Sequence, residues 1–404
     1  MSSTHLLVLV HGMWGNPSER VRYRDGTRLD VLLANTNSEE HTYDGIDWGG
    51  ERVAQEISRR VEDLEAKGAP VTRFSITGYS LGGLIARYVI GILHQQGFFE
   101  KISPVNFNTV ATPHLGLLRY DSFWSTLSHS LGPRLLSRTG EQFYFVDKWS
   151  AKGRPLLEVM ADPERVFYQA LQSFRQIRIY GNAINDITVP YITACIELED
   201  PFMEYTTNGL DVELDPKYAP LIKSWQLPAE PPLIYATLPL VVPLFLSLVL
   251  FRLGMSARKS RRRIKLLEAD PSKLSNGETL MQAVAKLEKD MEDAVADMME
   301  NPSGEESDDT LAQADAVLTE NDGKGKLKRC RSRQSNQPKS VARIAPLQRK
   351  MAAALNELPI QKERAFIENV RNSHAVIISR DVKNFDWHRQ GEGVIRHWAD
   401  SFEL

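Results

Sequence analysis

Cysteine is nearly missing from this chain. Of 404 residues only Cys195 and Cys330 carry a thiol, and Cys330 lies in a polar, basic tract. A structural disulfide is therefore not expected, which favours a reducing compartment. An excess of one charge is missing too: the formal net charge is −3, so the molecule as a whole is not built to hold nucleic acid electrostatically. The N-terminus, "MSSTHLLVLVHG", has no basic n-region and its apolar run is too short for a signal peptide, so a cytosolic start is expected. H-E-x-x-H, C-x-x-C, G-x-x-x-x-G-K-[ST] and G-x-G-x-x-G are all absent, so no metal, nucleotide or other cofactor is implied. No internal repeat is found. A chain of this length holds either two or more average domains or one large α/β domain with insertions.

What is present first is an alternation of strands and helices. "HLLVLV" (5–10) is a continuous apolar run of strand length, as expected for a strand buried on both faces of a parallel sheet. "TRLDVLLAN" (27–35), "VTRFSIT" (71–77), "PVNFNTVAT" (104–112) and "RQIRIYGN" (175–182) read as further strands. Between them, Val53, Ile57, Val61 and Leu64 share one helical face, with Gly68 as a stop. Leu81, Leu84, Ile85, Tyr88, Val89 and Ile92 mark a second helix, ending near Gly97. Such alternation predicts α/β class with a mostly parallel central sheet. After Pro190 the periodicity fades and the chain reads as an extended connector. A helix is expected at 278–299, and 301–342, polar and poor in aromatics, is expected to be disordered. Order is expected again near 352, with "EGVIRHWADSF" (392–402) as a closing helix.

Within this pattern, Gly78-Tyr79-Ser80-Leu81-Gly82 is a G-x-S-x-G sequence with a strand leading in and a helix leading out. That context defines a nucleophile elbow, which lifts the serine Oγ to the carboxyl edge of the sheet. The Leu81 amide, at the helix start, then points at a developing oxyanion. A second donor is expected from the loop after the first strand, "HGMWG", through the amide of Met13 with Trp14 as neighbour or wall. A serine needs a base, and the base needs an orienting carboxylate. In the chain order Ser, acid, His, "YGNAINDITVPY" supplies Asp186, with Asp162 and Asp200 as alternatives. The expected base is His374, beside the strand-like run of "NSHAVIIS". His388 and His397 also satisfy the order, His397 reading as a surface residue. His11 reads as a loop-holding residue. The segment "YDSFWSTLSHSLGPRLLSRTGEQFYFV" (120–146) reads equally as a lid or groove wall and as ordinary helices packed on the sheet.

Taken together and in this order, "LLVLVHGMWGNP", "ITGYSLGGLIARYVIG", "VATPHLG" and "YGNAINDITVPY" resemble the serine esterase family of α/β-hydrolase lipases, with the nearest likeness to the fungal lipid-droplet phospholipases. The likeness covers residues 5 to about 205 and returns near 365–402. It implies an α/β-hydrolase fold and an acyl-ester hydrolase acting on glycerolipids without a cofactor, with Ser80, Asp186 and His374 as triad. It leaves His114 of "TPHLG" as a structural residue near the acyl pocket. A neutral-lipid (acylglycerol) lipase and a non-catalytic lipid-surface anchor remain alternative readings.

The last feature is "PPLIYATLPLVVPLFLSLVLF" (231–251), twenty-one residues without a charge, followed by six cations within 258–265. If Asp186 and His374 belong to one triad, the chain is on the same side of any membrane at both, which excludes a single crossing between them. As one straight helix the segment reaches roughly 31 Å, against a hydrocarbon core of roughly 30 Å. Pro239 and Pro243 near its middle bend it, leaving arms of about 15 Å, the depth of one leaflet. A re-entrant hairpin or an interfacial segment is expected, with the cations among anionic headgroups. The expected organisation is a main hydrolase part (1–205), a connector (206–230), a membrane-associated hydrophobic segment (231–256), a basic, helical and disordered insertion (257–350) and a C-terminal hydrolase part (351–404). The expected location is a lipid droplet or the cytosolic face of an intracellular membrane.

Overall fold

The computed structural model describes residues 3–12, 28–37, 39–120, 123–206, 210–226 and 342–404. Met13, Trp14, the apolar segment 231–251, the basic cluster, the helix expected at 278–299 and the tract expected to be disordered up to 341 lie outside the described residues.

Six strands form one parallel sheet: β1 (Thr4–Val10), β2 (Arg28–Ala34), β3 (Val71–Tyr79), β4 (Ser103–Val110), β6 (Gln176–Asn182) and β10 (Ile360–Ala365), in the spatial order β10-β6-β4-β3-β1-β2. The interior strands are the apolar runs, because both of their faces are covered. β1 is buried along nearly its whole length. The edge strand β10, "IQKERA", is mixed and half exposed. The chain moves outward from β1 to β2, then returns to place β3 on the other side of β1 and proceeds away from it. The carboxyl ends of β1 and β3 therefore flank a topological switch point, where open α/β sheets bind ligands.

On one face, α1 (Ile46–Ala66), α2 (Leu81–Gln95), the short α3 (Phe98–Lys101), α6 (Leu156–Met160) and α7 (Val166–Gln172) bury Ile57, Leu84, Tyr88, Phe107 and Phe167 in the larger core. Over the other face lies a smaller core of Val110, Tyr180, Ala365, Val376, Ile377 and Val394, closed by α10 (Glu392–Asp400). There the Trp398 indole donates to Thr77 Oγ1 at 3.2 Å. The remaining elements are β5 (Arg119–Tyr120) paired with β9 (Ala342–Arg343), α4 (Phe123–Leu135), α5 (Ser137–Phe143), α8 (Tyr191–Cys195), the hairpin β7 (Asp211–Leu214) and β8 (Ile222–Gln226), and α9 (Pro346–Leu355).

Two local expectations are corrected. The connector after 206 is not extended throughout: residues 211–226 form the β7–β8 hairpin. Its turn is held by Asp215, whose Oδ1 accepts from the amides of Lys217 and Tyr218, and by Leu221, buried against the smaller core. The apolar run after His374 is not a strand. Val376 and Ile377 donate their amides back to Ser373 O, each at 3.0 Å, and the run is a buried turn. Length and hydrophobicity alone do not separate these two outcomes.

Of residues 120–146, α5 is scaffold. α1 begins at Gly45 with no side-chain cap of its own, and its orphan amides are met from ninety residues away. Gly45 N donates to Thr139 Oγ1 at 3.0 Å and Ile46 N to Gln142 Oε1 at 2.6 Å. Arg138 closes on the fully buried Asp47 at 2.6 Å. Burial pushes the Asp47 carboxyl up, but Arg138 and the surrounding donors outweigh it and hold it below the usual range. One turn on, Glu51 is buried and neither carboxylate oxygen has a hydrogen-bond partner among the described residues. Burial, then the Asp47 charge, pushes its carboxyl up to about 8. The fold therefore holds a proton that the unfolded chain releases at the ordinary value of 4.5, so stability falls as pH rises from about 4.5 to about 8. Glu51→Gln should remove that slope: melting temperatures measured between pH 5 and 9 should fall for the wild type and stay flatter for the variant.

Candidate active site

Ser80 sits where β3 ends and α2 begins, with φ 54° and ψ −126°, a left-handed conformation costly for a residue with a Cβ. Its own backbone bonds hold it there. Ser80 N donates to Val110 O at 2.8 Å, and Ser80 O accepts from Thr112 Oγ1 at 3.0 Å and Gly83 N at 3.1 Å. The flanking glycines are required by contact. A Cβ at Gly82 would lie 2.3 Å from Val10 O, and one at Gly78 would lie 2.4 Å from Gly82 O. The elbow thus packs directly on the carboxyl end of β1. Leu81 opens α2, in the first turn, where backbone amides have no intrahelical acceptor. The second expected donor, Met13, lies outside the described residues.

The structure brings Ser80, His374 and Asp186 together although 294 positions separate the serine from the histidine. Ser80 Oγ donates to His374 Nε2 at 3.0 Å, and His374 Nδ1 donates to Asp186 Oδ2 at 2.9 Å. This tautomer follows from the carboxylate, which only accepts. Asp186 lies in the loop after β6, four residues beyond Asn182. Its Oδ2 also accepts from Asn182 Nδ2 at 2.8 Å, and its Oδ1 from the amides of Thr188 at 3.0 Å and Val189 at 2.8 Å. Four donors hold a carboxylate whose side chain is 1 % exposed. His374 leaves the loop after β10 with its main chain tied on both sides. Ser373 N donates to Asn185 O at 2.9 Å, Ser373 Oγ to Ile184 O at 2.8 Å, and Tyr79 OH to His374 O at 2.9 Å. An alcohol, a general base and an oriented carboxylate in this order can activate a serine for acyl transfer.

The alternative residues are placed elsewhere. His11 Nδ1 bonds Gly12 O in its own loop at 2.9 Å. His114 is buried beneath "TPHLG", its Nε2 against Thr109 Oγ1 at 2.9 Å. Burial, then Arg87 and Lys362, hold it neutral, well below the usual histidine range. His388 accepts the Asp381 amide at 3.0 Å. His397 is half buried rather than a surface residue, because Tyr180 OH meets its Nδ1 at 3.0 Å and Tyr218 stands edge-on to its ring. Asp162 pairs with Arg154 at 2.7 Å, and Asp200 bonds the Phe202 amide at 2.9 Å. Asn182, Thr112, Ser373 and Tyr79 are the residues that motif spacing passes over. All four lie inside quoted stretches, but nothing in their spacing marks their bonds. Among the described residues no group of three or more His, Cys, Asp or Glu could hold a metal ion.

A parallel sheet with its nucleophile elbow after β3, acid after β6 and histidine after β10 is the fold of an α/β hydrolase. Residues 1–197 match the family model described as "Putative serine esterase (DUF676)", in keeping with the resemblance that the motifs of this segment carry. The chain is 29% identical over 209 residues to "Putative lipase C4A8.10" of Schizosaccharomyces pombe, a match covering 48% of this chain and 26% of that protein. It is 26% identical over 238 residues to "Putative lipase ROG1" of Saccharomyces cerevisiae, covering 56% and 33%. The chain therefore spans about a third or less of the length of these two relatives. Among solved structures it is similar to "RedJ with PEG molecule bound in the active site" (16% identity, TM-score 0.24, 47% of this chain and 75% of that one). It is also similar to a structure titled "putative cell surface hydrolase" from Lactobacillus plantarum WCFS1 (13%, TM-score 0.24, 48% and 74%). At those scores neither carries weight beside the sheet topology itself.

The Gly82 contact generates a direct test. Gly82→Ala should cost about 1–3 kcal/mol by overpacking against β1, read as a fall in the urea midpoint.

Proposed function

We propose that this protein is a serine hydrolase of lipid acyl esters, phospholipase-type, working at a membrane or lipid-droplet surface. The observation that carries the reading is the hydrogen-bonded series from Ser80 Oγ through His374 to Asp186, at 3.0 and 2.9 Å. In the reaction, His374 Nε2 takes the Ser80 proton as Oγ attacks the ester carbonyl. The Leu81 amide and a second amide from the loop after β1, assigned to Met13, stabilise the oxyanion, each such donor being worth roughly 10²–10³-fold. His374 then returns the proton to the departing alcohol, and water completes the cycle by the same route. Asp186 keeps the imidazole in the Nδ1–H tautomer and stabilises its cation. The roles of Ser80, His374 and Asp186 need no cofactor.

Three features favour a lipid surface over a free small ester. The chain's relatives carry the word lipase in their names. Ile187, next to Asp186 in the loop after β6, is 77% accessible and would meet whatever approaches the carboxyl edge. The twenty-one uncharged residues at 231–251 and the cations after them would add a re-entrant or in-plane anchor on anionic headgroups. Among the described residues no helix is long and apolar enough to cross a membrane.

Two tests follow. Ser80→Ala, assayed beside wild type on mixed phospholipid and triacylglycerol emulsions, should lower ester hydrolysis by about 10⁴-fold or more, with phospholipid as the main wild-type substrate. A preference for triacylglycerol would replace the phospholipase reading with a neutral-lipid lipase, equal turnover by folded Ser80→Ala would overturn the triad assignment, and no turnover by folded wild type on either emulsion would leave only the anchor. Deleting 231–265 should shift the protein into the soluble fraction on flotation while hydrolysis of a short-chain soluble ester persists. Unchanged flotation would place the anchor elsewhere.

A further inference from the structure

In the sheet, β3 and β10 are separated by β4 and β6. At roughly 4.8 Å per strand, the loops bearing Ser80 and His374 spring from strands about 14 Å apart. The histidine loop must therefore reach back across two strands, and something has to set how far it reaches. From the acid side it is tied to the loop after β6, through Ser373 N to Asn185 O, Ser373 Oγ to Ile184 O, and Asn372 Nδ2 to Thr188 Oγ1 at 3.2 Å. Those bonds fix His374 relative to Asp186 and leave its distance from the serine open.

Tyr79, the last residue of β3 and the neighbour of the nucleophile, supplies the missing tie. Its hydroxyl donates to the main-chain oxygen of His374 at 2.9 Å, and the two rings lie 5.2 Å apart at 35°. The ring packs against the smaller core of Val110, Tyr180 and Ile377, so it is braced from behind. We propose that Tyr79 is a positioning residue, which sets the reach of the histidine loop and holds Nε2 within hydrogen-bond distance of Ser80 Oγ. The inference rests on the triad reading above. Because Tyr79 and Ser80 are consecutive, any movement of the elbow carries the tether with it, and the serine–histidine separation is kept. Burial, then the Asp186 carboxylate, pushes the phenol up, so the hydroxyl remains a donor wherever the enzyme works.

The test compares Tyr79→Phe with Tyr180→Phe. Tyr180 is a buried tyrosine of the same core whose hydroxyl bonds His397 at 3.0 Å, away from the triad. Each variant loses one phenol hydrogen bond and keeps its ring, so a purely structural role lowers both melting temperatures alike and leaves kcat untouched. Tyr79→Phe should lower kcat on a soluble short-chain ester about ten-fold or more, since small misplacements of a reacting group are costly. KM should stay within about two-fold, and the rate constant for inactivation by a fluorophosphonate should fall by the same factor as kcat. Tyr180→Phe should match wild type in both. If Tyr79→Phe keeps wild-type kcat and inactivation rate while Ser80→Ala is inert, the tether is refuted and the triad stands. If Ser80→Ala is itself active, the triad reading fails first.

Discussion

The carbonyl oxygens of Val10 and His11 approach position 82 so closely that a Cβ there would stand 2.3 and 2.5 Å from them. That contact between the end of β1 and the first turn of α2 governs the site. It lets the helix start directly over the switch point of the sheet, which forces the residue between strand and helix into a left-handed turn. Ser80 occupies that turn, held by Val110 O on one side and Thr112 on the other. The strain is local, and the parallel sheet around it supplies the bonds that maintain it.

From this fixed point the rest of the site is assembled by strands farther along. β6 delivers Asp186 and β10 delivers the loop of His374, so a chain with its serine near residue 80 depends on a strand near residue 360. The insertion between 227 and 341 returns to the same sheet through α9 and β10. On either side of it the two parts of the sheet are joined edge to edge by β6 and β10. This topology is also why both ends of the insertion must lie on one side of any membrane.

Much of the fold was legible because its signals are local. Buried parallel strands are apolar runs, the helices show a 3.6-residue period, and Gly-x-Ser-x-Gly records a steric necessity that only glycine meets. Asp186 and His374 were legible through chain order and the motifs around them. What escaped had no local mark. The amides at the start of α1 are capped by Thr139 and Gln142, over ninety residues away. The "HAVIIS" run is as apolar as a strand, yet it packs as a turn, while the true last strand, "IQKERA", is polar because it is an edge. The β7–β8 hairpin depends on Leu221 finding a core built largely from other segments.

The central claim is that one serine, at the strained elbow, is the nucleophile. Its most direct test is peptide mapping of the protein after brief exposure to a fluorophosphonate probe in the presence of lipid. The account predicts a stoichiometric adduct on the peptide containing Ser80, and its suppression when His374 is replaced by alanine. No adduct on the folded protein, or an adduct on another serine that persists in Ser80→Ala, would contradict it.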